Sequence, residues 1–299
     1  MLELLAPAGN LDAVIAAVQN GADAVYMGFG DGFNARRSAD NFTRESFAKA
    51  VRYCHIRGCK VYVTLNTLVG DREMESAAAL AQQASDAGAD AILVQDLGLA
   101  RVLRDALPDI PLHASTQMSI HNLAGVEAAA EMGITRAVLS RELSLEQIRF
   151  ISQHASIETE AFVHGALCFC YSGQCYMSAL IGRRSGNRGM CAQPCRLPDK
   201  SGNYPLSLKD LSMASRIPEL LAAGAKSLKI EGRMKAPEYV FGVTKIYRRL
   251  LDERRRATPE EERELAEIFS RSGFTTGYFD GRISSSMLGV RRADDKENS

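Results

Sequence analysis

The residues with the clearest capacity for chemistry are cysteines, five of which crowd into one short stretch of the 299-residue chain. They are Cys168, Cys170, Cys175, Cys191 and Cys195. Four thiolates at Cys168, Cys175, Cys191 and Cys195 would suit zinc or an iron–sulfur cluster, because both accept four soft sulfur ligands. The spacing lacks the paired C-x₂-C knuckles typical of structural zinc, which favours iron–sulfur and leaves zinc as the alternative.

Arginines and tyrosines are interleaved with these cysteines. The side chains concerned are Arg183, Arg184, Arg188, Arg196, Tyr171 and Tyr176. Guanidinium groups recognise phosphates and carboxylates with paired donors, and aromatic rings stack on nucleobases. Arg183 and Arg184 are therefore candidate RNA-binding residues, and a solvated arginine loop is the alternative interpretation.

Polar side chains outside this segment form a second candidate site, because they follow predicted strands. In a barrel of parallel strands, the carboxyl ends of the strands and the loops after them form the active face. The candidate substrate-binding residues at such positions are Gln117, Arg141, His164, Glu231 and Arg233, with Asn34, Arg36, Arg37, Asn66 and Gln95 at neighbouring strand ends. We expect Arg141, Arg233 and Gln117 to bind a small carboxylate. Alternatively, strand ends are simply where polar side chains reach water.

The proximity of His164 to Cys168 in the sequence raises the question of protease chemistry. A cysteine protease needs one activated thiolate beside a histidine base, and four spread cysteines fit that requirement poorly. The zinc-protease motif H-E-x-x-H is absent from the sequence. We expect His164 to hydrogen-bond the cysteine segment rather than to activate Cys168.

A recurring sequence pattern indicates the elements that must position these residues. In this pattern a predicted helix ends at a glycine and a β-rich run follows. The pattern occurs around Gly21, Gly88, Gly133 and Gly224. Glycine tolerates the left-handed helix cap, and the apolar run suits a strand buried on both faces. The predicted strands are 2–6, 23–29, 60–66, 90–95, 110–115, 136–141, 158–164 and 226–231. Eight strands alternating with helices favour an α/β fold, a (β/α)8 TIM-like barrel, over an open doubly wound sheet.

This pattern predicts one barrel domain over residues 1–282, with a cysteine-rich insertion at 166–205 between strands seven and eight. Within the long connection before strand eight, Pro205–Leu208 is a candidate short strand. A helix is predicted over 239–256, and its many arginines make it a second candidate RNA contact. The last segment, 283–299, is expected to be a frayed or truncated tail.

Charge and composition limit the classes of protein that fit. Thirty-six basic residues balance thirty-six acidic ones, so any RNA contact must come from a local patch. The N-terminus lacks the basic start and apolar run of a signal peptide, and no stretch is apolar enough to span a bilayer. We therefore expect a cytoplasmic protein without a membrane partner.

The run from Glu160 to Ser178 resembles the signature of the collagenase-like peptidase family U32. The matching residues are Glu160, Phe162, His164, Gly165, Cys168, Tyr171, Ser172, Gly173, Cys175 and Ser178, and the segments Leu4–Gly9, Tyr26–Gly28 and Lys229–Arg233 are also similar to that family. The resemblance implies relatives that use prephenate to hydroxylate a tRNA wobble uridine or a 23S rRNA cytidine, or that hydroxylate ubiquinone precursors without oxygen. It also implies a [4Fe–4S] cluster on Cys168, Cys175, Cys191 and Cys195.

Our leading hypothesis is an iron–sulfur-dependent RNA hydroxylase with prephenate, a small dicarboxylate, as cosubstrate and tRNA or rRNA as partner. The alternatives are a collagenase-like peptidase, a small-molecule hydroxylase of ubiquinone biosynthesis, and an RNA-binding module stabilised by zinc. Cluster chemistry separates the first from the last, because zinc is colourless and carries no sulfide.

Overall fold

Repeated strand–helix units build the molecule around a ring of strands. The computed structural model describes residues 2–30, 32–36 and 41–290, so Arg37 lies outside the described residues. The strands are β1 (Glu3–Pro7), β2 (Ala24–Met27), β3 (Lys60–Leu65), β4 (Ala91–Val94), β5 (Leu112–Ala114), β6 (Arg136–Val138), β7 (Glu158–Gly165), β8 (Asp210–Ser212), β9 (Ser227–Ile230) and β10 (Phe274–Thr275). The helices are α1 (Leu11–Gln19), α2 (Arg44–His55), α3 (Met74–Asp86), α4 (Leu97–Ala106), α5 (Leu123–Glu131), α6 (Leu145–His154), α7 (Met177–Gly182), α8 (Ile217–Ala223), α9 (Pro237–Glu253) and α10 (Pro259–Ile268).

Eight parallel strands close into a barrel. Strands β1 to β7 pair in sequence order, and β9 pairs with both β7 and β1 to complete the ring. The predicted TIM-like barrel is therefore confirmed, and β9 is its eighth strand. The open doubly wound sheet is excluded, because β9 joins β7 to β1 and leaves no open edge between them.

The helix-to-strand joints have the geometry that the sequence predicts. Gly21, Gly88, Gly133 and Gly224 have φ angles of 84°, 96°, 78° and 91°, in the region that side chains disfavour. Ser144 and Gln147 form a capping box at the start of α6. The apolar residues of the strands and the inner faces of the helices form one buried core. None of the helices in the described ranges has the length and apolar character needed to cross a bilayer.

The long connection between β7 and β9 differs from expectation in its extra strand. Residues Tyr204–Ser207 form a turn closed by a hydrogen bond from Ser207 N to Tyr204 O, so the predicted strand at 205–208 is wrong. The strand lies further on, at β8, which runs antiparallel to the end of β7 and parallel to β10. Leu208 contributes only a single bridge, to Leu288.

The predicted frayed tail is wrong for its first part. Met287 is buried, and Gly289 N donates to Ser207 O at 2.8 Å, which holds this segment against the end of the insertion. Residues 283–290 thus continue the barrel domain. The remainder of the predicted tail, 291–299, lies outside the described residues.

Candidate functional site

A cavity of about 450 Å³ lies at the carboxyl ends of the barrel strands, between the barrel and the insertion. Its lower wall consists of strand residues and the residues that follow them, including Tyr26, Thr64, Ser115, Phe162, Lys229, Glu231 and Arg233. Its upper wall consists of insertion residues, including the four predicted metal ligands Cys168, Cys175, Cys191 and Cys195. The fold thus brings together two sets of candidate residues that the sequence keeps far apart.

The insertion is held across the barrel mouth by contacts at its far side. Asn187 donates to Gln95 Oε1 at 2.6 Å and accepts from Leu68 N at 3.0 Å. Arg188 forms a two-pronged pair with Glu73, at 2.9 and 2.6 Å, and this pair lowers the pKa of Glu73 to about 2. Because these partners follow β3 and β4, the insertion spans the mouth from β7 to the opposite rim.

The near side of the insertion is fixed by polar contacts as well. Ser172 donates from its backbone N to Glu142 Oε1 at 3.1 Å and from its hydroxyl to Oε2 at 3.2 Å. Arg196 donates to the carbonyl oxygen of Leu167 at 2.6 Å and to the Ser207 hydroxyl at 3.1 Å. Arg188 and Arg196, which the sequence leaves as candidate phosphate contacts, therefore hold the insertion in place.

The four cysteines are free thiols that share the cavity. Burial raises the pKa of the Cys195 thiol, Arg196 opposes this, and Cys168, Cys191 and Cys175 are near enough to raise it further. Cys191 Sγ accepts hydrogen bonds from Gln193 N at 3.3 Å and from the Ser178 hydroxyl at 3.7 Å. In the described ranges, no three His, Cys, Asp or Glu side chains already form a metal-ligand group. The thiols therefore surround a common space without forming a preassembled ligand set.

Glu231 is the cavity carboxylate with the strongest ion pairs. Its Oε2 lies 2.6 Å from Arg141 Nη2, and its Oε1 lies 3.4 Å from Arg36 Nη2. Burial opposes ionisation, but Arg36 and Arg141, with a contribution from Arg233, hold the pKa of Glu231 at about 2. The guanidinium of Arg141 also stacks 4.1 Å from the centre of the Phe162 ring. Glu231 is thus ionised at neutral pH and fixes two arginines in the cavity wall.

Arg233 is a buried arginine of the lower cavity wall. It is 4% exposed and donates to the Thr64 hydroxyl and, at 3.3 Å, to Asn34 Oδ1. Burial and the charge of Arg36 lower the pKa of Arg233 to about 10. Across the described ranges it pairs with no carboxylate. A buried guanidinium that lacks a counterion favours an anionic ligand.

Two further polar atoms of the cavity wall lack hydrogen-bond partners in the described parts of the chain. They are Arg141 Nε and the Thr116 hydroxyl, both buried. Gln117 also lines the cavity, and its backbone carbonyl accepts from Gln95 Nε2 at 3.1 Å. The cavity therefore offers unused hydrogen-bonding groups beside surplus positive charge, which suits a small anion.

The structure places His164 away from the cavity, which corrects its prediction as a substrate-binding residue. The register of β7 against β9 shifts between Phe162 and His164, so the strand bulges there and the alternation of faces is broken. His164 Nδ1 lies 3.3 Å from the Tyr247 hydroxyl on α9, with the Tyr239 and Phe274 rings nearby. Burial lowers its pKa to about 3, so the imidazole is neutral. The expected hydrogen bond to the cysteine segment is replaced by one to α9.

Arg183 and Arg184 do not line the cavity either. Both are exposed at the end of α7, and Arg184 Nε donates to Met190 O at 3.0 Å. Neither pairs with a carboxylate in the part of the chain that the structure describes. They lie beside the exposed Leu180 and Ile181, on the outer surface of the insertion. They are available to a large ligand outside the cavity, and the structure does not place them at a small-molecule site.

The second basic patch predicted from sequence, on helix 239–256, is mostly paired with acidic residues. Arg248 pairs with Asp23 and Asp252, and Arg249 pairs with Glu261. Arg255 also binds Glu261, and Arg256 binds Glu219. Because Asp23 precedes β2, this basic end of α9 lies at the amino-terminal face of the barrel, opposite the cysteines. The expectation of an RNA contact here is not supported by the geometry.

Sequence inspection missed the cavity residues that precede the strand ends. Tyr26, Thr64 and Lys229 all line the cavity but lie within strands. The signal that could have found Lys229 is the period-two alternation of a strand, since Lys229 and Glu231 lie two residues apart and face the same side. Asp96, a polar residue directly after β4, has a structural role, because it accepts a hydrogen bond from Leu99 N and caps α4.

Comparison with known proteins shows the family. A profile of peptidase family U32 matches residues 9–288, so the chain belongs to that family. A 23S rRNA 5-hydroxycytidine synthase of Escherichia coli is 43% identical over 288 residues, covering 93% of this chain and 42% of the relative. A tRNA hydroxylation protein of Bacillus subtilis is 38% identical over 266 residues, covering 84% of this chain and 63% of the relative. The chain thus spans less than two thirds of the length of these two relatives.

Other relatives carry different names. A protein named collagenase from Porphyromonas gingivalis is 34% identical over 310 residues, covering 94% of this chain and 74% of the relative. The solved structure of a U32 peptidase matches with a TM-score of 0.55 at 16% identity, covering 78% of this chain and 94% of that one. At this identity the structural match supports the fold alone.

Proposed function

We propose that this chain forms the cofactor- and cosubstrate-binding part of an iron–sulfur-dependent RNA hydroxylase that uses prephenate. The observation that carries the proposal is the cavity, in which four cysteines face an arginine-rich wall at the active end of a barrel. Relatives named for tRNA hydroxylation and for synthesis of 5-hydroxycytidine in 23S rRNA support RNA as the substrate. A tRNA wobble uridine and a 23S rRNA cytidine are the two target nucleotides that we consider.

The residues that would hold a [4Fe–4S] cluster are Cys168, Cys175, Cys191 and Cys195. Four soft thiolates suit such a cluster, and the hydrogen bonds that Cys191 Sγ accepts are of the kind that stabilise a sulfur ligand. When bound, the cluster would supply electron transfer or a site for binding an oxygen group. Zinc remains the alternative occupant of the same thiols.

The cavity wall below the cysteines would hold prephenate through its two carboxylates. Arg36, Arg141 and Arg233 supply three positive charges against the single carboxylate of Glu231, which leaves a surplus of about two charges. The orphaned Arg141 Nε and Thr116 hydroxyl add donors. Closure of the cavity by the insertion would exclude water and strengthen these contacts.

A peptidase is the second candidate, since one relative is named collagenase. The site geometry favours it less. His164 contacts Tyr247 on the outer side of the barrel and so is not positioned as a base for Cys168. The small-molecule hydroxylase of the ubiquinone pathway uses the same cavity chemistry and differs in its larger substrate, so RNA binding separates it from our proposal. The expected cytoplasmic location stays a prediction.

The direct test is mass spectrometry of RNA after incubation with the anaerobically purified protein. We expect hydroxylated pyrimidine only when prephenate is present, and loss of product with Arg233→Gln. An RNA product formed equally well without prephenate would contradict the cosubstrate assignment. Cleavage of gelatin that a single cavity substitution abolishes, without any RNA product, would favour the peptidase.

A further inference from the structure

A lysine at the floor of the cavity has no role in the site as described so far. Lys229 lies on β9, two residues before Glu231, and its side chain is 5% exposed. Its Nζ lies 4.3 Å from the centre of the Tyr26 ring and 5.6 Å from that of Phe162. All three residues line the cavity. The ammonium group therefore sits at the base of the space that the arginines surround.

The partner of Lys229 is a buried carboxylate beneath the cavity. Glu160 Oε1 accepts from Lys229 Nζ at 2.9 Å, and the Glu160 side chain is 0% exposed. Burial alone would raise the pKa of Glu160, but Lys229 and Arg136 keep it below its ordinary value. Glu160 is therefore ionised, and the pair lies where solvent screening is weak.

Glu160 does not depend on Lys229 alone. Its Oε2 lies 3.5 Å from Arg136 Nη1, and Arg136 also binds Glu3 and, at 2.7 Å, Glu158. Glu158 is half exposed at the opposite end of the barrel. A line of alternating charges thus runs through the barrel and ends at Lys229, whose ammonium faces the cavity. Since Arg136 supports Glu160 from below, Lys229 can share its charge with a ligand from above.

We propose that Lys229 is a ligand-binding residue of the cavity floor, whose ammonium contacts an anionic group of the cosubstrate while Glu160 competes for it. The inference rests on the proposed function in that it requires an anionic cosubstrate in this cavity. It adds a fourth cation to the three arginines, and it assigns to the buried carboxylate the role of a positioning residue that limits anion affinity. Because the ammonium is paired with the Glu160 carboxylate, the contact with the ligand is ionic and no covalent bond to it forms.

The test is calorimetric measurement of binding at neutral pH with two probes, prephenate and the simpler dicarboxylate malonate. Lys229→Met should weaken binding by about 10- to 100-fold, because a hydrogen bond to a charged group contributes about 1.5–3 kcal/mol. Glu160→Gln should tighten binding several-fold, since the ammonium loses its competitor. Lys226→Met, on the exposed position just before β9, removes one charge outside the cavity and should leave binding within about twofold of wild type.

Lys229→Met alone removes the 2.9 Å ion pair of Glu160 and leaves this buried carboxylate with Arg136, at 3.5 Å. The loss can destabilise the fold. The double variant Glu160→Gln/Lys229→Met removes both buried charges, and it should fold and bind at least about tenfold more weakly than Glu160→Gln. Lys229→Met should weaken ligand binding, whereas Glu160→Gln should strengthen it. Structural damage alone would weaken binding in both variants, so opposite effects identify a direct ligand contact.

Equal binding by Glu160→Gln and the double variant would overturn the inference, and so would weakening by Glu160→Gln. Prephenate binding that is indifferent to Lys229 would overturn it while leaving the proposed function intact. A third outcome is binding of malonate, tightest to Glu160→Gln and weakest to Lys229→Met, without any binding of prephenate. It would support the inference and contradict prephenate as the cosubstrate. Wild-type protein that binds neither probe would overturn the inference.

Discussion

At the scale of single residues, the ion pairs of Glu231 with Arg36 and Arg141 determine the charge of this part of the cavity wall. The pKa of Glu231, about 2, lies below the ordinary value of 4.5, because Arg36 and Arg141 outweigh the effect of burial. A carboxylate with a depressed folded-state pKa contributes stability that is present above its unfolded-state pKa and is lost as the pH falls towards the folded-state value. The contribution of Glu231 should therefore be complete near neutrality and should decline between about pH 4.5 and pH 2.

Replacing this carboxylate should have a pH-dependent cost. Glu231→Gln is expected to lower the free energy of unfolding at pH 7 by roughly 2–3 kcal/mol, since Arg141 loses a buried partner. Urea unfolding at pH 7 and pH 3 should show the difference from wild type shrinking at the lower pH. The exposed Glu264→Gln is the control and should change little at either pH. A cost that stayed constant between these pH values would contradict the ion-pair account.

Arg233 should behave in the opposite way in the absence of ligand, because its buried guanidinium forms no ion pair with a carboxylate in the described ranges. Arg233→Gln should leave the melting temperature of the free protein unchanged or raised, and should reduce the increase caused by saturating prephenate. A ligand stabilises the native state according to its affinity, so thermal unfolding with and without prephenate measures both effects. The exposed Arg263→Gln serves as control. An unchanged prephenate shift in Arg233→Gln would show that Arg233 does not bind this cosubstrate.

Residue types at strand ends predict part of the cavity. Gln117, Arg141, Glu231 and Arg233 all line it, as their positions after strands indicate. His164 does not, because a bulge in β7 breaks the alternation on which such a prediction depends. A bulge depends on the pairing between neighbouring strands, and one strand's sequence contains no clear sign of it.

The elements differ in how well the sequence defines them. Glycine caps are local signals, so the eight barrel strands are predicted close to their observed positions. The insertion is different, because its contacts join residues far apart in the chain. Arg188 meets Glu73 across 115 positions, and Asn187 meets Gln95 across 92. Arginine clusters are equally ambiguous, since only the structure shows that those of α9 are paired with acidic residues.

This contrast between the two arginine clusters leads to a prediction for RNA. Arg183→Ala/Arg184→Ala should weaken RNA binding and flatten its dependence on salt, because each phosphate contact releases counterions. We expect a wild-type log–log slope of about −2 to −4, at roughly −0.7 per single-strand contact. Filter binding over a range of salt concentrations measures the slope, and the iron content should be unaffected.

The matched control removes two arginines that lie outside the insertion, just after α9. Arg255→Ala/Arg256→Ala deletes the same charge, but these side chains are engaged by Glu261 and Glu219. This variant should retain the wild-type slope. An identical loss in both double variants would show that net charge, not the surface of the insertion, governs RNA binding. Absence of RNA binding at low salt would favour the small-molecule hydroxylase.

The whole molecule joins a conventional barrel to an insertion whose cysteines close over the barrel mouth. The barrel follows from repeated local signals, whereas the cavity exists only because the insertion reaches back from β7 to the rim near β3 and β4. The sequence identifies the two halves of the site separately. Their meeting in a single cavity depends on the contacts of the insertion across the barrel mouth, which join residues far apart in the chain.

The central claim is that the four cavity cysteines hold an iron–sulfur cluster, and metal analysis after anaerobic purification tests it most directly. We expect about four iron and four sulfide per chain in the wild type. Cys168→Ser, Cys175→Ser, Cys191→Ser and Cys195→Ser should each lose most of both. Cys54→Ser, a buried thiol away from the cavity, should retain them. One zinc per chain without sulfide, or full iron in the four cavity variants, would contradict the account.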